Sequence, residues 1–517
     1  MVIREKFHYT LYIGSLLTIA IALPLSMFVM TIGICVLFCN ALLEWNWKEK
    51  WERLKSNRVV FWIISFPLLF FIGFINTDHY ALGLESYLMK LPMLLIPLSI
   101  VTSKPIQKKE IRWVFLVYIG SLFFTTLYSI YYLNTHIVND IREISRFISH
   151  IRFSLNIVFG IVILSFLIWD KEWRNRKIIP IYVLILIWFV LYLFIAQTLT
   201  GIVILFILVL YLMVYILFRF RKKKEFKVLT ILFLLFVLTL VTYISVISYQ
   251  YFYNKDQNQE LEKFTKLGNP YCHDQDTWVE NGHMIGYYVN RTELLEEWSK
   301  RSRIPMADVE QGLIRYLNSM GLRKDAEGVQ QLSDRDISYI EKGYANIDYT
   351  RGIGLKRSLY PTFFSLSLYQ KFGKIHQSSL LERFELWKAS GTLIQKNWLF
   401  GVGVGDHKFE LDDQLEKQHS EITKKLKGCH NQFLTIWMSG GIFLLLLFLI
   451  MLFAPLYFRM EYKLIYILFF VIIFISMFTE DTINTHAGVT FFSFFNSFLL
   501  FCLGRKPSEQ EIQIANK

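Results

Sequence analysis

IPIYVLILIWFVLYLFIAQTLTGIVILFILVLYLMVYILF, at positions 179–218, contains no charged residue and decides the fold. Two apolar runs, 179–197 and 201–218, flank a short polar turn. A helix needs roughly 20 apolar residues to cross the hydrocarbon core of a bilayer, because each residue rises about 1.5 Å. Lipid offers the backbone no hydrogen bonds, so a single crossing segment must satisfy them within a helix. The stretch predicts two transmembrane helices joined by a hairpin.

Similar apolar stretches recur along the whole chain. Of its 517 residues, 54% are hydrophobic and 19% are charged, which is typical of a protein that lipid solvates. Outside the hairpin, the candidate spans are 9–23, 26–43, 59–75, 87–102, 113–133, 153–169, 228–248, 433–456, 463–479 and 488–503. We therefore predict an all-α polytopic membrane protein with about 12 transmembrane helices. The first span resembles a cleaved signal peptide, but Pro24 and the second span that follows favour an uncleaved helix.

The net charge of +13 is better explained by membrane orientation than by a nucleic-acid partner, because Lys and Arg concentrate in cytoplasmic loops. With the N-terminus inside, the basic clusters fall on the cytoplasmic side, at 4–6, 48–58, 104–112, 171–177, 219–227, 459–463 and 505–506. The segment 87–102 must then cross despite Lys90, Pro92 and Pro97. The pattern predicts a multi-pass protein of the bacterial inner membrane, with both termini cytoplasmic and no nucleic-acid partner.

The same orientation places one large polar region outside, between the ninth and tenth predicted spans. We predict four parts of the chain: spans one to nine, a mainly helical periplasmic insertion, a periplasmic segment that carries the chemistry, and spans ten to twelve with a cytoplasmic tail, at 1–248, 249–375, 376–432 and 433–517. Within the insertion, 308–321 shows helical apolar spacing up to Gly321. A second helix is predicted after Ser333, with Asp336 three residues on and Gly343 at its end.

The chemistry-bearing segment contains three features in order. The run QSSLLERFELWKASGTLIQKNW (377–398) predicts an amphipathic helix that carries Arg383 and Trp387 and can lie along the membrane surface. GVGVGDHKF (401–409) follows. No strand precedes its glycines and no Lys-Ser or Lys-Thr pair follows them, so they indicate a tight turn and a close backbone approach rather than a nucleotide loop. His430 and Asn431 then stand at the entrance of the tenth span.

This order of motifs resembles the O-antigen ligase and polymerase superfamily of bacterial surface-glycan enzymes, specifically over 383–447 and loosely over most of the chain. The resemblance implies a GT-C-like architecture and a metal-independent, inverting glycosyltransferase without a cofactor. It implies transfer from a polyprenyl pyrophosphate, such as undecaprenyl pyrophosphate, to an acceptor on the periplasmic face. Ligase members use lipid A-core as the acceptor in lipopolysaccharide biosynthesis, whereas polymerase members join repeat units. The insertion at about 255–370 departs from many relatives.

The chemistry of such a transfer assigns roles to two residues. A sugar pyrophosphate already has a good leaving group, so the protein must supply a base for the acceptor hydroxyl and cations for the departing phosphates. Imidazole is largely neutral above a pH of about 6.5, which suits His430 to the first task, although a capping histidine is the alternative. Guanidinium binds phosphate bidentately, which suits Arg383 to the second, against a merely snorkelling arginine. These are the two candidate catalytic residues.

Further candidate substrate-binding residues accompany them: Arg146, Arg152, Trp387, Gly403, Gly405, Asp406, Asn431 and Glu480. Arg142, Arg146 and Arg152 break the positive-inside pattern, which indicates either phosphate binding or pairing with Asp140 and Glu143. Asn431 is expected to orient or cap rather than react, and the loop of Asp406 and His407 is more often solvated than in contact with substrate. Glu480, Asp481 and His486 either orient the acceptor or are solvated.

Two open points concern the outward side. A disulfide between Cys272 and Cys429 and a pair of free thiols are both compatible with an oxidising compartment. Ligases of the family commonly carry an arginine in the stretch that matches AQTLTG (196–201), where this chain has Leu199. If the alignment holds, another cation, such as Arg152, must compensate for it.

The favoured interpretation is an O-antigen ligase. Alternatives within the superfamily are an O-antigen or exopolysaccharide polymerase and a protein O-oligosaccharyltransferase. From other classes, a polysaccharide transporter or flippase also fits twelve spans, but its polar residues are expected near the midplane rather than at outward helix ends. The third alternative is an inactive scaffold, which the presence of Leu199 favours.

Overall fold

The computed structural model describes residues 2–136, 138, 140–219, 224–257, 260–350, 355–375, 378–420, 422 and 427–504. The predicted cytoplasmic tail after Gly504 and part of the basic cluster at 219–227 lie outside the described residues. Nearly all regular structure in the described residues is α-helical. The chain forms two compact units, the first made of Met1–Tyr215 with Leu386–Lys517 and the second of Ile216–Glu385.

Twenty-two α-helices follow one another along the described chain. The first ten are α1 (Val2–Ala22), α2 (Met27–Leu43), α3 (Trp47–Ser56), α4 (Val59–Leu69), α5 (Tyr80–Leu88), α6 (Pro92–Thr102), α7 (Lys108–Thr135), α8 (His150–Trp169), α9 (Ile179–Ile195) and α10 (Leu199–Arg219). The next eight are α11 (Lys224–Phe252), α12 (Arg291–Arg301), α13 (Met306–Ser319), α14 (Ala326–Gln330), α15 (Asp334–Glu341), α16 (Ile347–Thr350), α17 (Leu355–Phe372) and α18 (Ser379–Lys396). The last four are α19 (His407–Lys417), α20 (Gln432–Tyr457), α21 (Lys463–Thr479) and α22 (His486–Phe498).

Shorter elements complete the description. Four helical turns of other types occur, at Phe70–Phe74, Ile141–Ile144, Thr482–Asn484 and Leu499–Leu503. Two short antiparallel strands, β1 (Val279–Glu280) and β2 (His283–Met284), form a hairpin in the second unit.

Each predicted span lies on helical structure, but three are divided between two elements: 59–75 between α4 and Phe70–Phe74, 87–102 between α5 and α6, and 488–503 between α22 and Leu499–Leu503. By length and composition, seven described helices can cross a membrane: Tyr80–Thr102, Lys108–Thr135, His150–Trp169, Leu199–Arg219, Thr230–Phe252, Gln432–Tyr457 and His486–Leu503. The bent pair Met27–Leu43 and Trp47–Ser56 raises this to eight, and three shorter apolar helices are Val59–Phe74, Ile179–Ile195 and Lys463–Thr479. The chain is therefore a multi-pass, nearly all-α membrane protein, while the count of about twelve spans and the orientation stay predictions.

The connection between α9 and α10 is three residues long, as predicted, but it lies two residues earlier, at 196–198. α9 ends at Ile195 and α10 begins at Leu199, and Gln197 between them adopts a left-handed conformation with φ 50°. A residue in this region reverses the chain within very few positions. The segment 87–102 is likewise reshaped, because α5 ends at Leu88 and Pro92 opens α6. Proline fits the first turn of a helix, where its missing N–H has no helical partner.

The core of the first unit is built around α8. In the apolar stretch of α8, 78% of the residues are buried, compared with 17% in the apolar stretch of α10. α8 therefore lies inside the bundle and α10 near its surface. Aromatic rings from α21 and α22 pack on α8, with Phe159 lying 4.9 Å from Phe469 and 4.6 Å from Phe495 between ring centroids. Lipid tails are as apolar as these side chains, so hydrophobic burial does not drive helices together inside a membrane. Edge-to-face ring contacts add to the van der Waals packing that does.

Residues 401–405, which we call the glycine segment, lie directly before α19 and pack against α20 at a break in that helix. Gly441 has φ 69° and ψ −170°, which interrupts the helix, and the carbonyls freed upstream accept hydrogen bonds from the glycine segment. The N–H of Val402 donates to the carbonyl of Met438 at 2.8 Å, and the N–H of Gly403 donates to that of Ser439 at 3.0 Å. A Cβ on Gly401 would meet the α20 backbone at 2.6 Å. The tight turn and close backbone approach predicted for these glycines are confirmed.

The second unit has its own apolar core, in which Trp298 and Leu313 are fully buried. Two predicted helices are confirmed in it. α13 ends two residues before Gly321, which has φ 71°, and α15 begins with a complete capping box between Ser333 and Asp336. β1 joins this core through Glu280, which accepts two hydrogen bonds from Arg315 at 2.8 and 3.0 Å.

Replacing Gly441 with Ala tests the break in α20. The new Cβ would stand 2.1 Å from the carbonyl oxygen of Leu399, and a left-handed conformation costs an L-residue about 1–2 kcal/mol before any clash. We expect the apparent Tm of the purified protein in detergent to fall by several degrees. The matched control is Gly120→Ala on α7, where nothing lies within 4 Å of the added Cβ. That control should keep or raise Tm, and an equal response of both variants would contradict the break.

Candidate functional site

His430 occupies a constrained position directly before α20. Its backbone is left-handed, with φ 53°, which is uncommon for a residue other than glycine. Asn431 is the N-cap residue, and its side-chain oxygen accepts hydrogen bonds from the amides of Phe433 and Leu434, both at 3.1 Å. Its side-chain nitrogen donates to the carbonyl of Phe478 at 3.2 Å. The capping role predicted for Asn431 is therefore present, and it fixes the turn that presents the imidazole.

Asp481 fixes the backbone of this turn through hydrogen bonds. Its two carboxylate oxygens accept hydrogen bonds from the N–H of His430 at 3.2 Å and from the hydroxyl of Thr435 at 2.6 Å. Burial raises the pKa of the Asp481 carboxyl above its usual range, while the Thr435 hydroxyl and the His430 ring oppose that shift. A Cβ on Gly428 would meet the Asp481 carboxylate at 2.4 Å, so a glycine is needed for the chain to pass it.

Glu480 connects the imidazole to a buried arginine. Its Oε2 lies 3.6 Å from Nδ1 of His430 and accepts a hydrogen bond from Nη1 of Arg152 at 3.1 Å. The side chains of Arg152 and Glu480 are only 8% and 6% exposed, whereas that of His430 is 35% exposed. Arg152 also donates to the carbonyl of Asp481 at 3.0 Å and to the hydroxyl of Thr485 at 3.4 Å. We name Arg152, Glu480, Asp481 and His430 the histidine cluster.

The histidine cluster has the chemical form of an oriented base. A carboxylate on one side of an imidazole favours the ring orientation in which the other nitrogen faces outward, and it stabilises the imidazolium that forms on proton uptake. Within the part of the chain that the structure describes, Nε2 of His430 bonds to no other side chain. Arg152 keeps Glu480 paired inside the protein, because an unpaired carboxylate there would cost several kcal/mol, on the order of 3–5.

Asp406 and the glycine segment lie at a different place in the first unit. The carboxylate of Asp406 accepts hydrogen bonds from the amides of Asp78 and His79 at 2.8 and 3.1 Å and pairs with the His79 ring. A Cβ on Gly403 or Gly405 would meet the backbone oxygens of Asn76 and His79 at 2.6 and 2.3 Å. These three candidates position the turn at 76–79 in the structure, and their contact with substrate stays a prediction.

The remaining candidates on the amphipathic helix fall on both sides of the boundary between the units. Trp387 donates its indole N–H to the carbonyl of Cys429 at 3.0 Å, which holds the residue directly before His430. Arg383, four residues earlier on α18, is half-buried and belongs to the second unit. Whether Arg383 acts with His430 stays a prediction. Cys272 is exposed in the second unit and Cys429 is buried in the first, and a disulfide between them stays a prediction.

The three arginines that break the positive-inside pattern behave differently. Arg142 is exposed and pairs with Asp140 at 2.6 Å, which agrees with the pairing alternative. Arg146 stacks over the ring of Tyr132 at 4.9 Å. Arg152, already in the histidine cluster, pairs with Glu480 and not with Asp140 or Glu143. Leu199 opens α10 and is 73% exposed.

Sequence reasoning underrated the acidic pair at 480–481. The solvated alternative for Glu480 is wrong, because its side chain is buried in the first unit, while Asp481 is half-buried and its carboxylate is bonded to His430 and Thr435. Thr435 and Thr485 were not singled out at all. The available signal was an acidic pair at the end of a long apolar run, because such groups are costly near lipid unless they are paired.

The fold and the histidine cluster together define a polytopic helical membrane protein with a buried charge network at the start of a long apolar helix. The O-antigen ligase family model matches residues 352–449, which include Arg383, the glycine segment and His430. The resemblance inferred from the order of motifs is thereby confirmed for this segment. The match supports a glycosyltransferase-like function of the O-antigen ligase and polymerase family, with a lipid-linked glycan donor and a glycan acceptor. A comparison with curated proteins gives no match.

Breaking the buried ion pair should destabilise the first unit strongly. In Arg152→Met, Glu480 keeps a buried charge without its guanidinium, which costs about 3–5 kcal/mol. Adding Glu480→Gln to the same chain should recover much of the loss, because the orphaned charge is then removed. The apparent Tm of the purified protein in detergent measures both effects.

The matched control for this test is Arg142→Gln, because the side chains of its pair with Asp140 are 61% and 38% exposed. An exposed pair contributes about 0–1 kcal/mol, so this control should leave Tm nearly unchanged. If Arg152→Met lowers Tm no more than Arg142→Gln, the buried pair does not hold the cluster.

Proposed function

We propose that this protein is a glycosyltransferase that moves a glycan from a polyprenyl pyrophosphate to an acceptor hydroxyl at the periplasmic face of the inner membrane. The observation that supports it best is the histidine cluster, in which His430, a residue of the segment that matches the O-antigen ligase family, is partly exposed and lies against the buried Glu480. A base with its orienting carboxylate is the group that such a transfer requires from the protein.

The reaction proceeds by a single displacement. Nε2 of His430 accepts the proton of the acceptor hydroxyl while that oxygen attacks the anomeric carbon. The bond between this carbon and the phosphate oxygen breaks, and its electron pair leaves with the polyprenyl pyrophosphate. Attack opposite the leaving group inverts the anomeric centre. The negative charge of Glu480, 3.6 Å from Nδ1, stabilises the imidazolium formed in this step.

The constrained backbone of His430 supports this role. A non-glycine residue held at φ 53° persists only where surrounding contacts impose it, and such positions cluster at functional sites. Here the contacts come from Asp481 to the His430 amide, from the Asn431 cap and from Trp387 to the preceding carbonyl. The result is a ring fixed within one turn of α20 rather than on a mobile loop, as an oriented base requires.

The donor's phosphates need cations, and we assign Arg383 to them because guanidinium binds phosphate oxygens bidentately. Arg152 supports the base instead, since Glu480 and the 481–485 turn occupy its guanidinium. Ligase activity on lipid A-core is favoured over polymerase or protein glycosylation, because the order of helix, glycine turn and His-Asn is closer to the ligases. The assignment requires the chain to lie in the inner membrane with 249–432 outside.

Replacing His430 with Asn should stop glycan transfer and leave the fold intact. Asn accepts a left-handed backbone more readily than most residues, so the turn is kept while the base is lost. A positioned base contributes about a hundred- to ten-thousand-fold, and the transfer rate should fall accordingly. The assay follows transfer from a polyprenyl-pyrophosphate-linked glycan by purified protein, together with precursor accumulation in a deletion strain that carries the variant.

His419 provides the matched control. It is also a histidine with a left-handed backbone, φ 54°, in the same outward segment, but it is exposed and outside the histidine cluster. His419→Asn should transfer glycan at the wild-type rate. Undiminished transfer by His430→Asn would remove the proposed base, and loss of transfer in both variants would point to a folding effect.

A further inference from the structure

A small cavity in the first unit has walls from several elements. Its volume is about 90 Å³, several times what one water molecule needs, and its lining includes Ser86, Lys90, Gly405, His407, Lys408 and Thr435. The Thr435 hydroxyl donates to Asp481 of the histidine cluster, and Asp481 accepts the backbone N–H of His430. The cavity is therefore connected to His430 through Thr435 and Asp481.

A buried lysine forms part of this wall. Lys90 is 4% exposed, and its ammonium donates to the side-chain oxygen of Asn484 at 3.1 Å and to the carbonyl of Ser86 at 3.3 Å. It lies 4.5 Å from the centroid of the Phe70 ring. Among the described residues, no carboxylate forms an ion pair with it. An ionisable side chain within an apolar span is costly and most often marks a functional site.

Other groups around the cavity are also positive or donate hydrogen bonds. Gly405, His407 and Lys408 line it at the N-terminus of α19, where helical amides carry partial positive charge. Asp406 does not cap this helix with its side chain, because its carboxylate is bonded to the amides at 78–79. Burial lowers the pKa of His407 to about 4, and the charges of Lys408 and Lys90 add to that effect. His407 is thus neutral, and Glu85 is the acidic residue of the lining.

We propose that this cavity binds a phosphate group and that Lys90 is the cation that receives it. Two ammonium groups, a helix N-terminus and the hydroxyl of Ser86 match a tetrahedral oxyanion. The assignment rests on the proposed function, in which the phosphate belongs to the diphosphate of the lipid-linked donor. In this proposal Lys90 supplies the cation that is missing where the chain has Leu199 instead of an arginine.

Inorganic pyrophosphate is the probe for this site. We expect it to raise the apparent Tm of the wild-type protein in detergent and to bind about ten- to a hundredfold more weakly to Lys90→Met, because a hydrogen bond to a charged group is lost. Without pyrophosphate, Lys90→Met should be at least as stable as the wild type, since a buried charge is removed. The control is Lys388→Gln, an exposed lysine on α18, which should bind pyrophosphate as the wild type does.

Lys408→Gln provides a second variant whose folding is not at risk, because Lys408 is exposed. Its pyrophosphate affinity should fall several-fold, as expected for the loss of a single exposed charge. Unchanged affinity in both Lys90→Met and Lys408→Gln would overturn the proposal. So would equal displacement of pyrophosphate by phosphatidylglycerol and by a polyprenyl pyrophosphate, because the cavity would then be a general lipid headgroup site.

The two proposals can fail separately. In the transfer assay, Lys90→Met should raise the donor KM about tenfold or more with a smaller effect on kcat, whereas His430→Asn should lose kcat and still bind pyrophosphate. Binding through Lys90 in a protein that transfers no glycan would overturn the proposed function alone. Glycan transfer with a donor KM unchanged in Lys90→Met would overturn the phosphate site alone.

Discussion

The ion pair between Arg152 and Glu480 is the interaction on which the histidine cluster depends. It connects the first turn of α8, a largely buried helix, to the turn after α21, and the same carboxylate faces His430. Two charges removed from water are stable only when each satisfies the other, so the pair fixes the distance between these helices. The turn that follows, through Asp481, then fixes the backbone of His430. The Glu480 carboxylate therefore has two functions: it forms the buried ion pair that stabilises the fold, and it faces the imidazole of the proposed base.

Much of the fold follows from hydropathy, because a chain in lipid must form apolar helices of a set length. The predicted spans are helical in the structure, although 59–75, 87–102 and 488–503 are each divided between two elements, and the ends predicted at Gly321, Ser333 and Gly343 agree with α13 and α15. The boundary between the two compact units could not be predicted from hydropathy. The second unit begins at Ile216, within α10, because packing rather than polarity decides where a compact body starts.

The candidate site was only partly predictable. His430, Asn431 and Arg152 were identified from motif order and from broken charge patterning, and the structure brings His430 and Arg152 together through Glu480. Asp406 and the glycines belong to the same ordered set of motifs as His430, but they pack against the turn at 76–79. No local sequence pattern predicts this long-range contact. Lys90 was noticed only as an interruption of a span. Its cavity exists because segments 70–90, 404–408 and 435–439 meet in three dimensions.

Chemical rescue measures whether the imidazole of His430 takes the acceptor proton. His430→Gly keeps the left-handed backbone and leaves a space where the ring was. Added imidazole should restore glycan transfer by the purified variant in proportion to its concentration, with no such effect on the wild type. Transfer by His430→Gly at the wild-type rate without imidazole, or a folded variant that imidazole leaves inactive at every concentration, would contradict this role of His430.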